Sequence, residues 1–192
     1  MRVLVAEDET IIRLDVRALL ERAGHLVVAE ARDGLEAVAL AAEHEPDLIV
    51  MDVRMPHLDG IEAARKITAA RAVPIVMLTA YSESDLVARA SEAGAFGYLI
   101  KPFREVDLLP AIDTARARFD EMAALRVEAA SLQEALTSRK AVERAKGILM
   151  QREGIDEAEA FRRIRAASQK TGRTMRVVAD ALIATFDVEP RS

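Results

Sequence analysis

The chain has 192 residues, 51% apolar and 31% charged, with a formal net charge of −5, enough for one standard domain and a small second one. It holds no cysteine, which excludes disulfides and thiolate zinc sites, and His25, His44 and His57 stand too far apart to read as a metal-ligand set. Only 4% of residues are aromatic, against a stacking platform for single-stranded nucleic acid, and no apolar run reaches a membrane span or a signal peptide, so a cytoplasmic protein with no membrane partner is expected.

Residues 2–6 read as a short apolar strand running into Glu7-Asp8-Glu9. Helical periodicity follows at Ile12, Val16, Leu19 and Leu20 and stops at Gly24. A second strand covers residues 26–29, and Asp33-Gly34 opens a helix carrying Leu35, Val38 and Leu40. Residues 48–51 form an uninterrupted apolar run, as expected of a strand buried on both faces, which ends on Asp52. Behind it come Met55-Pro56 and Asp59-Gly60, with Asp59 placed to cap a helix through Ile61, Ala64 and Ile67. A fourth strand over residues 74–78 ends at Thr79, a helix is predicted over 83–93 up to Gly94, and a fifth strand over 97–100 ends at Lys101-Pro102. Strands alternating with helices predict an α/β fold with a parallel sheet wound on both sides.

An Asp after a strand is often only a turn or cap residue. Here, however, Glu7 and Asp8 follow the first strand, Asp52 the third, Thr79 the fourth and Lys101 the fifth. In a parallel sheet these share one rim, where open α/β folds place their chemistry. Three carboxylates together need a cation, and with no soft ligand present the natural choice is a hard ion such as Mg²⁺. Asp52 then becomes a nucleophile able to accept a phosphoryl group, with the Lys101 ammonium and the Thr79 hydroxyl available to its oxygens.

Glu7-Asp8, Asp52 with Met55-Pro56 and Asp59-Gly60, Thr79-Ala80 and Lys101-Pro102-Phe103 together resemble the receiver domain of two-component response regulators over about residues 1–120. The resemblance implies a flavodoxin-like, doubly wound five-stranded sheet in the order 2-1-3-4-5. It implies phosphorylation of Asp52 by a sensor histidine kinase, Mg²⁺ held by Glu7, Asp8, Asp52 and the backbone carbonyl of Arg54, and a cis Lys101-Pro102 bond. Glu7 stands where many receivers have Asp. Tyr98 would turn inward as the Thr79 hydroxyl moves toward the phosphoryl group, the alternative being an ordinary half-buried tyrosine on an edge strand. An autonomous aspartyl-phosphate phosphatase wants a second acid two residues after its nucleophile; Arg54 stands there, which argues against an enzyme.

From Glu105 to about Arg152 good helix formers dominate, with Pro110 near the expected helix start. A heptad seam fits Met122, Ala129 and Leu136 with Leu125 and Leu132, bracketed by Arg118 and Arg139, so residues 121–138 read as a helical linker that either forms a coiled coil in a homodimer or packs within one chain. Dimerisation through it would be either constitutive or driven by phosphorylation. Gly154 and Gly172 then punctuate a small three-helix bundle over residues 139–186. Asp156 with Glu159 reads as a capping pair for a helix with Ala160, Phe161, Ile164 and Ala167; Thr174 caps a last helix with Met175, Val178, Ala179, Leu182, Ile183 and Phe186.

Charge is unevenly spread: residues 138–192 hold 12 Lys/Arg against 8 Asp/Glu, a net of +4, leaving −9 on the rest. Residues 145–150 (Ala-Lys-Gly-Ile-Leu-Met), Gly154, Ala160-Phe161 and residues 173–179 resemble the ANTAR domain, over about residues 131–186. That resemblance implies binding of RNA hairpins and transcription antitermination, with Lys146, Arg173 and Arg176, helped by Arg144, facing RNA. A DNA-binding helix-turn-helix is disfavoured, because the last helix has only Arg176 and Asp180 as charged residues in its body. A protein-docking bundle stays open.

Overall fold

A computed structural model of the chain describes residues 1–80 and 93–187, and the five expected strands are all there: β1 (Arg2–Ala6), β2 (Leu26–Ala31), β3 (Leu48–Asp52), β4 (Ile75–Thr79) and β5 (Gly97–Ile100). They pair in parallel in the order β2-β1-β3-β4-β5. Between them run α1 (Thr10–Arg22), α2 (Gly34–His44) and α3 (Gly60–Ala70), and after β5 comes the long helix α4 (Glu105–Glu153). The helix predicted over 83–93 lies outside the described residues apart from Ala93.

Alternation along each strand divides the core between the two faces of the sheet. Leu4, Ala6, Ile49, Met51, Ile75 and Met77 pack on one face with Ala37 and Ala41 of α2 and Ile61, Ala64 and Ile67 of α3. Val3, Val5, Leu48, Val50, Val76 and Leu78 pack on the other with Val16 and Leu20 of α1 and Leu108 and Ile112 of α4. Strands buried on both faces must be apolar throughout, which is why β3 and β4 read as uninterrupted runs. Each such large side chain contributes about 1.5–3 kcal/mol on burial.

The winding reverses at β1, which has β2 on one side and β3 on the other. The crevice of a doubly wound sheet lies at such a switch point, and here it opens beside Asp52. The loop from β3 to α3 is anchored at both ends by glycines. A Cβ on Gly60 would fall 1.9 Å from the Asp52 carbonyl oxygen, and one on Gly34 2.2 Å from that of Leu58. The amides of these glycines donate to Val53 O at 2.9 Å and Leu58 O at 3.2 Å. Asp59 caps α3 as expected, accepting from Glu62 N, and Asp33 caps α2 through Glu36 N, both at 2.8 Å.

The chain divides into the compact units Met1–Ala123 and Ala124–Ser192. In the second, α4 packs with α5 (Glu157–Thr171) and α6 (Met175–Asp187). Its core is small: Val142, Ala145 and Leu149 from α4, Ala160 and Ile164 from α5, and Ala179 from α6. Phe161, expected inside, is exposed, because it is turned about 100° around the helix from Ala160. The expected capping pair is half formed: Asp156 accepts from Glu159 N at 2.7 Å, while the Glu159 carboxylate engages Arg162 and Arg163. Thr174 Oγ1 accepts from Val177 N at 3.4 Å. Pro110 sits inside α4, past the first turn, where it removes one helical hydrogen bond.

Gly60→Ala is expected to lower the stability of the first unit by about 3 kcal/mol or more, since the backbone oxygen in its way has nowhere to go. Gly147→Ala, in helix α4 with nothing within 4 Å, is expected to stabilise by about 0.5–1 kcal/mol. Urea unfolding followed by circular dichroism measures both.

Candidate functional site

Strand register brings the rim residues together. Ala6 lies opposite Met51, Asp52 opposite Leu78, and Thr79 opposite Ile100, so Glu7, Asp8, Asp52, Thr79 and Lys101 all leave the sheet at one edge. Hydrogen bonds carry the ladder past the strand ends, from Glu7 N to Ala31 O, from Val53 N to Leu78 O and from Lys101 N to Thr79 O. The Lys101-Pro102 bond is cis, as expected.

Glu7 is fully buried and Asp52 and Thr79 are each 5% exposed, whereas Asp8 is exposed. One oxygen from each of the three carboxylates lies within 4.8 Å of the others. The Lys101 ammonium stands 2.7 Å from Glu7 Oε2 and 3.0 Å from Asp52 Oδ1. The ammonium is thus the charged partner of buried Glu7 Oε2. Glu7 Oε1 accepts from Glu9 N at 3.3 Å.

Burial holds both acids above their ordinary pKa values. For Glu7, desolvation outweighs the lowering influence of Lys101, and the charge of Asp52 adds to the rise. Asp52 is raised by burial and by Asp8, against the pull of Lys101. Burial alone would lower Lys101, but Glu7 and Asp52 more than reverse it and hold the ammonium above its usual range. The result is a charged, partly desolvated cluster with more negative than positive groups.

Tyr98 is 52% exposed on edge strand β5, and Arg54 is exposed in the loop two residues after Asp52. Two partners escaped sequence reasoning. His57, at φ 63°, sets its Nδ1 3.0 Å from Asp33 Oδ2 and ties the loop after Asp52 to the start of α2. Arg13 is buried behind Glu7 and Asp8. Its signal was readable: position 13 falls on the same face of α1 as Val16 and Leu20, where a charged residue is out of place.

In the second unit the four cations expected to face RNA part company. Lys146 does not present its ammonium outward. It is 7% exposed and lies 2.6 Å from Glu157 and 2.9 Å from Glu143, whose hydrogen bonds, Glu157 first, raise its pKa. It closes the start of α5 onto α4. Arg176 is engaged by Glu134 and Asp180. Arg144 and Arg173 are exposed. Arg165 and Lys170 are also exposed, and among the described residues neither they nor Arg173 makes an ion pair.

These features define a class. The response regulator receiver domain family matches residues 3–113 and the ANTAR domain family residues 130–183, and the chain belongs to the response regulators that join these two domains. It is 51% identical over 185 residues to the transcriptional regulatory protein PdtaR of Mycobacterium tuberculosis, covering 96% of this chain and 90% of that one. It is 38% identical to the chemotaxis protein CheY of Bacillus subtilis over 113 residues, 58% of this chain and 94% of CheY. Among solved structures, a LuxR-family two-component response regulator from Aurantimonas sp. SI85-9A1 superposes with a TM-score of 0.58 at 38% identity, over 66% of this chain and 97% of that one. Among the described residues no helix is long and apolar enough to cross a membrane.

Because Asp52 binds its proton more tightly folded than unfolded, its ionised form weighs against folding above the raised pKa. That burden lifts as pH falls through the raised value toward 3.8. Asp52→Asn, which leaves Lys101 paired with Glu7, is therefore expected to raise the stability of the metal-free first unit by about 1 kcal/mol at pH 7. The gain should shrink as the pH is lowered through the raised value to 3.8. Urea unfolding at pH 7 and over that range checks it, and a loss of stability at pH 7 would mean that the Lys101–Asp52 pair outweighs desolvation.

Proposed function

We propose that the chain is the phosphorylation-activated response regulator of a two-component system, that Asp52 is its phosphoacceptor, and that its C-terminal domain binds RNA hairpins as a transcription antiterminator. The observation that carries this reading is the placement of Asp52 at the switch point, with Glu7 and Asp8 on one side and Lys101 at 3.0 Å. A carboxylate oxygen of Asp52 attacks the phosphorus of a phosphohistidine on a sensor histidine kinase. The P–N bond breaks, its electron pair returns to the imidazole, and an acyl phosphate forms on Asp52. Three carboxylates within 4.8 Å of one another, with a single ammonium against two of them, suit a hard divalent ion. Glu7, Asp8, Asp52 and the carbonyl of Arg54 would hold Mg²⁺, which offsets charge on the transferring group. Lys101 then pairs with a phosphoryl oxygen in place of the Asp52 charge, the Thr79 hydroxyl donates to another, and Tyr98 turns in from its exposed position. The part of the chain that does this is residues 1–120, and no autonomous enzyme activity is proposed.

Residues 121–138 serve as the linker. Met122, Leu125, Leu132 and Leu136 are 43%, 57%, 60% and 56% exposed, and Ala129 is exposed with them, which supports the coiled-coil reading over a stripe packed within one chain. An exposed apolar seam at heptad spacing favours a second copy of this chain. Phosphorylation drives that pairing, or acts on a dimer already formed. In residues 139–186, Arg144 and Arg173 keep their assignment to RNA, joined by Arg165 and Lys170, while Lys146 and Arg176 are assigned to holding the bundle together.

Asp52→Asn should abolish labelling by a small phosphodonor in the presence of Mg²⁺; persistent labelling refutes the phosphosite. Sedimentation with and without a phosphoryl analogue separates the dimer schemes, since an unchanged mass rules out phosphorylation-driven pairing. For the output, Arg173→Ala should weaken hairpin RNA binding and reduce the salt dependence by about one phosphate contact. Filter binding of hairpin RNA against duplex DNA over a salt series is the measurement, and tighter duplex DNA binding, or binding to neither, excludes the RNA output.

A further inference from the structure

Arg13 is one of the few charged side chains in the core of the first unit, 7% exposed on the inner face of α1. A guanidinium is seldom placed there without full pairing. Its Nη1 donates to the carbonyl oxygen of Glu7 at 2.7 Å and reaches that of Asp8 at 3.4 Å, and its Nη2 lies 3.4 Å from Thr10 Oγ1. Its Nε stands 3.5 Å from Glu30 Oε2 on β2, whose other oxygen is held by Arg17 at 2.6 Å. One cation therefore grips both peptide carbonyls of the acidic turn and is itself braced against the neighbouring strand.

The same two residues, Glu7 and Asp8, turn their carboxylates to the cluster with Asp52. Resting on the phosphoacceptor reading, we infer that Arg13 is a positioning residue for this cluster: by fixing the carbonyls of Glu7 and Asp8 it sets where their carboxylates meet a divalent cation. Mutual repulsion of the acids pushes the turn away from Asp52, and a hydrogen-bonded, buried guanidinium opposes that displacement at the backbone, where side-chain rotation cannot relieve it. Arg17 shares Glu30 with Arg13, but its side chain is given to Glu30 and Glu21. It is the natural control for a loss of ion pairing alone.

The test is Mg²⁺ titration of the full chain by isothermal calorimetry, with folding checked by circular dichroism. Arg13→Met should bind Mg²⁺ about tenfold more weakly than the unaltered chain, Arg13→Lys should fall in between because one ammonium replaces a forked donor, and Arg17→Met should bind normally. If Arg13→Met does not fold, Arg13→Lys decides, with a loss of about threefold or more supporting the inference. Normal affinity in the folded Arg13 variants, or an equal loss in Arg17→Met, overturns it while leaving the phosphoacceptor reading intact. An unaltered chain that takes up no Mg²⁺ overturns that reading and this inference together.

Discussion

Three carboxylates and one ammonium share a rim that the parallel sheet does not allow them to leave. Two unit charges about 4 Å apart near a protein surface interact by about 4 kcal/mol, and here Glu7 and Asp52 are largely out of water. The strands set where the groups emerge, because the register of β1 against β3 puts Glu7 and Asp8 beside Asp52. Lys101, from the far side of the sheet, is the counter-charge the chain supplies for itself. Much of the surrounding architecture holds this arrangement against its own repulsion: the ladder continued past the strand ends, the capped starts of α2 and α3, and the guanidinium of Arg13.

The second unit meets the opposite problem, a thin core with an excess of cations. Six small or medium side chains form its buried centre, so the helices are also joined at their edges by ion pairs such as Lys146 with Glu157 and Arg163 with Glu153. Exposed pairs of this kind contribute little singly, but Lys146 is shielded from solvent and links two helices. Residue type alone does not show which cations fasten helices; the position of the nearest carboxylate does, as at Lys146.

Strand positions and rim residues were readable in the sequence because burial on both faces leaves unbroken apolar runs that end abruptly on polar groups, as at Asp52 and Thr79. The family resemblances added the sheet order and the cis bond. What stayed hidden depends on contacts between residues far apart in the chain. Glu143 and the apolar face of Val142 and Leu149 stand one turn from Lys146, but its ammonium is closed in only when Glu157, 11 residues on, folds back against it. The His57–Asp33 tie spans 24 residues and has no periodic signature. Phe161 shows the limit of pattern reading from the other direction, since an apolar residue beside a helical stripe need not belong to it.

The glycine contacts at either end of the loop between β3 and α3 bear on how this surface can diversify. At Gly60 and Gly34 the neighbouring backbone oxygens occupy the space of a side chain, so those anchors admit no chemical variation. Between them, Arg54 and His57 are exposed, although His57, at φ 63°, is itself tied to Asp33. The loop is thus a part with fixed ends and an adjustable middle. Changes in charge or shape beside Asp52 are best accommodated at the exposed side chain of Arg54, which gives one carboxylate cluster room for different recognition surfaces.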